Sequence, residues 1–203
     1  MDIKIDLFQE YTKYTIHEVE NRRELFDEYG LEKIHKIAEF ESIASSKNKK
    51  FIILNANQDI LENEKDTLEK SSYELFRKSY KTVAASSDKE LLKIYFKDDK
   101  PNKVNGKLDL TLKALKRGML IMENPSYDEI NHLKDKYIDM INKLDEFLSN
   151  YNEKSEELSI AKRESLEANH NWREYYTGLK HLVQFQLVGK GVDYRIFFLD
   201  LAK

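Results

Sequence analysis

Three Glu-x-x-His pairs stand out in the sequence: Glu32 with His35, Glu129 with His132, and Glu167 with His170. Residues three apart on a helix share a face. Two such pairs, joined by two further glutamates, build a carboxylate-bridged di-metal centre inside a four-helix bundle. Helix phase opposes this reading. If Ile130 and Leu133 point inward, Glu129 and His132 fall on the flanks, and the same register turns His170 to solvent. Glu129 also stands three residues after Ser126, the spacing of a capping box. Exposed helical pairs are therefore expected, with neither a metal nor any other cofactor. A four-helix bundle that binds a metal or a small ligand is the alternative, and these six residues are its candidate ligands.

Other chemistry is scarce. The chain has no cysteine, which excludes disulfides, thiolate zinc sites and thiol catalysis. No Gly-x-Ser-x-Gly elbow occurs, and the five histidines fall on predicted helices, so no nucleophilic triad is expected. Gly189-Lys190-Gly191 lacks the spacing of a phosphate-binding loop and reads as a chain reversal. Trp172, Tyr175, Tyr176 and Leu179, with His170 and His181 nearby, form an aromatic stripe at helical spacing, suited to a core or to a partner interface.

The elements that carry these residues read as helices. Six glycines and two prolines in 203 residues, with 35% charged residues, are the composition of a helix-rich chain, and twelve tyrosines mark a sequence that folds. The step of three and four from Ile130 through Leu133, Tyr137, Met140, Leu144, Phe147 and Tyr151 continues at Leu158, Ala161, Ala168, Trp172, Tyr175, Leu179 and Leu182. The preferred reading is a hairpin that turns within Ser149–Asn152, all poor helix formers apart from its tyrosine. A single helix over 127–187 is the alternative. Capping boxes at Ser87 to Glu90 and Ser126 to Glu129 mark two helix starts.

Upstream, Phe8 to Tyr29 predict a first helix ending at Gly30. Leu31 to Ile43 carry a second helical face, 57–85 a third, and Leu108 to Met122 another. Lys47, Lys49 and Lys50 read as a solvated turn. Strands are expected at Ile3–Leu7, Phe51–Leu54 and Tyr194–Leu201. The polar segment from Lys97 to Lys107 is the one candidate boundary, between an N-terminal helical half, 1–100, and a C-terminal helical half, 101–203, which together could form one domain.

Lys and Arg number 34 against 37 Asp and Glu, a net charge of -3 with the signs interleaved, which argues against a nucleic-acid surface. No apolar run is long enough for a bilayer, and the N-terminal residues lack the apolar core of a secretory signal. A cytoplasmic setting is expected, or a virion if the chain is phage-encoded. The fold expected is mainly all-α: an elongated antiparallel helical bundle with coiled-coil-like heptads and a minor strand pair at the termini. The function expected is that of a non-enzymatic structural or interaction protein. It would be a helical component of a larger assembly, such as a virion or secretion-type complex, with protein partners that are its own copies or other subunits.

Overall fold

The computed structural model describes residues 5–85, 89–97, 100–123 and 130–199. It is all-α. In chain order the helices are α1 (Ile5–Glu20), α2 (Glu28–His35), α3 (Ile37–Ala84), α4 (Lys89–Phe96), α5 (Pro101–Val104), α6 (Leu108–Met122) and α7 (Lys134–Gln186), with 3-10 turns at Arg23–Leu25, Asn131–Leu133 and Tyr194–Phe197. The expected capping boxes at Ser87 and Ser126, with Glu129 and the stop at Asn124-Pro125, lie outside the described residues.

Two helices dominate. α3 runs 48 residues without a glycine or proline, and α7 runs 53 with Gly178 as its only breaker. The hairpin expected at Ser149–Asn152 does not form. Poor propensity costs only a few tenths of a kcal/mol per residue, and Leu144 and Phe147, buried just upstream, hold the helix through those positions. The lysine-rich turn and the strand at Phe51–Leu54 are likewise interior turns of α3. No strand occurs among the described residues. Ile5 and Leu7 belong to α1, and Tyr194–Phe197 is a 3-10 turn capped by the Asp193 side chain.

The first helix ends at Glu20, ten residues before Gly30. Asp27 opens α2 by accepting the Gly30 N–H at 2.7 Å, so Gly30 sits in a first turn and does not close a helix. Gln186 donates to the other Asp27 oxygen at 3.0 Å and accepts the Asp27 N–H at 3.3 Å. Its side chain lies 3.2 Å from where a Gly30 Cβ would stand. The Gln186 and Gly30 bonds together hold the Asp27 carboxyl below its ordinary range.

The chain forms two compact units, Met1–Asn55 with Glu157–Lys203, and Ala56–Glu156. The polar segment from Lys97 to Lys107 falls within the span of the second.

In the first unit α3 and α7 run antiparallel around an aromatic core. The Trp172 ring meets Phe8 at 4.5 Å and stacks on Tyr176 at 4.9 Å, and its N–H donates to the Thr12 hydroxyl at 3.1 Å. Phe197 and Phe198 complete this core from the C-terminal turn. One layer is polar: Asn48 donates to Asn169 at 2.9 Å and accepts from Ser165 and from Asn169, all three buried. A satisfied polar layer of this kind fits only one register of the helix pair.

The second unit packs α4, α5 and α6 against α3 and α7 around Phe76, Tyr95, Phe96, Leu115 and Tyr137. Gly118 of α6 lies under Tyr137, where an added Cβ would stand 2.9 Å from a ring carbon. The Tyr137 hydroxyl is buried, and Ser79, the polar side chain beside it, is too poorly placed for a well-formed hydrogen bond. Burial pushes its pKa up to about 12, offset in part by Ser79.

Candidate functional site

Along α7 in the first unit the seam runs through the buried Ala161, Ser165, Ala168, Trp172, Tyr176, Leu179 and Val183, with Asn169 buried beside it. Two steps of four meet at Trp172. An α-helix drifts about 20° per heptad against a strict seven-residue repeat, and the second step of four takes up that drift. The seam therefore continues through Tyr176 and Val183, and Tyr175 and Leu182, which the heptad reading puts inside, turn halfway out.

There they line a groove of about 510 Å³ within the first unit. Tyr175 stacks on Phe40 at 4.3 Å and 21°, and its hydroxyl donates to the Lys33 carbonyl at 2.8 Å. Tyr29 stands at the rim, 60% exposed. The Lys33 ammonium lies 5.3 Å from the centre of the Tyr29 ring and 3.8 Å from Glu32. Glu174 lines the opposite side and pairs with His170 at 3.2 Å. Gly178 opens the floor, and a Cβ there would meet nothing within 4 Å. The Tyr175 phenol titrates above its ordinary value because of burial first, and then because of the charges of Glu39 and Glu32.

Of the aromatic stripe, Trp172 and Tyr176 are fully enclosed by their own unit and Leu179 nearly so. Tyr175 and Leu179 line the groove. The metal-ligand candidates disperse. Glu32 and His35 are exposed, and His35 pairs with Glu20 at 2.6 Å. His132 is exposed on a 3-10 turn, and Glu129 is outside the described residues. Glu167 and His170 are both exposed on α7. Among the described residues no three His, Asp or Glu side chains come together in a way that could hold a metal ion.

Sequence reasoning assigned Tyr29, Phe40 and Leu182 to core faces and passed over Gly178. The available signal was the glycine itself: a glycine inside an otherwise unbroken helix costs about 1 kcal/mol relative to alanine and calls for a reason.

A second cluster, in the other unit, is self-contained. Tyr151 donates to Glu62, Lys65 pairs with Glu62 at 3.2 Å and lies over the Tyr151 ring at 5.2 Å, and Gln58 donates to Ser155 at 3.2 Å. The Tyr151 hydrogen bond holds Glu62 below its ordinary range. The Glu62 bond raises both Tyr151 and Lys65. Each charge in the cluster meets its partner within it, so the arrangement braces α3 against α7.

No protein-family model, curated protein or solved structure matches the chain. No helix among the described residues is long and apolar enough to cross a membrane.

Proposed function

We propose that this is a non-enzymatic interaction protein, a helical component of a larger assembly built from its own copies or from other protein subunits. One observation carries the reading. α3 presents four isoleucines, Ile43, Ile52, Ile53 and Ile60, each between 47% and 66% exposed. β-branched side chains give up rotamer freedom on a helix, and these gain little burial within the chain in return. Ile43 and Ile52, nine residues apart, lie on opposite faces of α3, so covering all four takes partners on more than one face, and each would recover about 25 cal/mol for each Å² of apolar surface removed from water.

Light scattering on the full chain over a range of concentrations tests the reading. A defined oligomer is expected, and Ile53→Glu, which alters no buried position, is expected to shift it toward the single-chain mass. A monomer at every concentration, unchanged by Ile53→Glu, would overturn self-association as the basis of the assembly.

A further inference from the structure

We infer that the groove over Gly178 docks a partner helix that presents an arginine or lysine beside an aliphatic side chain. This rests on the interaction reading above and names the chemistry of the partner.

Two features of the groove point the same way. The first is its floor. Gly178 lies within α7, and no described residue uses the space that its missing side chain leaves. Glycine is disfavoured inside a helix, and close approach of another backbone is one of its few uses there. Leu182, one turn further along α7, and the stacked Phe40 and Tyr175 give that approach an apolar bed. Phe185, seven residues after Gly178 on the same helix face, is 75% exposed and extends the bed beyond the groove.

The second is charge. Glu174 lines the groove, and Glu32 and Glu39 are the charged groups whose field reaches the Tyr175 hydroxyl. Lys33, the cation that lines it, pairs with Glu32 and lies over the Tyr29 ring, and Glu174 pairs with the exposed His170, so the three carboxylates outnumber the one lysine. An incoming guanidinium or ammonium therefore meets carboxylates and aromatic faces, and an incoming carboxylate meets like charge.

The groove already performs this recognition within the chain. The Lys33 ammonium over the Tyr29 ring is a cation on an aromatic face beside a carboxylate, the contact expected of the partner. Arginine suits the site particularly well, because its planar group stacks on an aromatic ring while its N–H groups reach a carboxylate.

The test uses the full chain and a blocked, fluorescently labelled helical peptide with leucine and arginine on one face, beside a copy in which each arginine is citrulline, its neutral isostere. Fluorescence anisotropy and the amide NMR shift of Gly178 are read together. The arginine peptide is expected to bind about tenfold more tightly than the citrulline copy and to move the Gly178 resonance. Gly178→Leu places a side chain in the groove from a Cβ that meets nothing within 4 Å, so it should abolish binding and leave the melting temperature unchanged or raised. Equal binding of the two peptides would overturn the cationic specificity. Unchanged binding to Gly178→Leu would overturn the site. Neither result bears on the oligomer mass, so failure here is distinguishable from failure of the assembly reading.

Discussion

Each unit contains a glycine in the middle of a helix, and the two glycines are there for different reasons. Gly118 of α6 is buried, and the ring of Tyr137 occupies the space where its side chain would be. Gly178 of α7 is exposed, and the space above it is open. Both weaken their helices by the same backbone entropy. For Gly118 the core of the second unit supplies the compensation. For Gly178 no described residue of the first unit fills the space. The same residue type within a helix thus reports a packing constraint in one unit and an open surface in the other.

Four substitutions sharpen or break this contrast. The largest effect should come from Trp172→Ala, which empties the centre of the first unit and leaves the Thr12 hydroxyl without its donor. A loss of about 3–5 kcal/mol is expected in urea denaturation followed by circular dichroism. A loss below 1 kcal/mol would mean that the aromatic cluster does not hold that unit together.

The second unit has a signature of its own in alkali. The Tyr137 phenol titrates near 12 in the fold against its ordinary value of 10.0. The folded state therefore keeps a proton that the unfolded chain has released. The resulting stabilisation is intact below pH 10 and is lost as pH rises toward 12, an expected fall of about 2–3 kcal/mol. Tyr137→Phe should remove that part of the alkaline fall and, by deleting a buried hydroxyl that is poorly satisfied, leave stability at neutral pH about equal. Parallel alkaline limbs for the two proteins would show that Tyr137 is not the group responsible.

Gly118→Ala should destabilise by about 1–3 kcal/mol, because the clash with an enclosed ring outweighs the gain in helix propensity. Gly178→Ala should do the opposite and stabilise by about 0.5–1 kcal/mol. Thermal melts of the two variants side by side decide the matter. If both move in the same direction, the two glycines do not differ in the way the geometry says.

Much of the architecture was legible in the residues. Scarce glycine and proline, abundant glutamate and lysine, and apolar positions at steps of three and four led directly to long helices and an all-α fold. Local rules failed where a weak local preference met a strong distant one. Ser149, Asn150 and Asn152 favour a turn by tenths of a kcal/mol each, whereas each buried neighbour such as Leu144 and Phe147 contributes about 1.5–3 kcal/mol to keeping the helix intact. Asn48, read within a solvated turn, is instead enclosed by Ser165 and Asn169, more than a hundred residues away in sequence. Gly30 reads as a helix end until Asp27 is seen to cap the helix that contains it.

The candidate site shows the same division. Its residue types were visible, and the stripe that includes Tyr175 and Leu179 could be drawn from spacing alone. The sequence by itself determined that α7 is helical and amphipathic, because periodicity is a local property of neighbours along one chain. Only the tertiary structure decided which side of that stripe is core. Helical drift over many turns and the competing claims of Phe8, Tyr11 and Phe198 drew Trp172 and Tyr176 inward. Tyr175, Gly178 and Leu182 were left facing the groove, and such a choice depends on contacts between segments that no local pattern encodes.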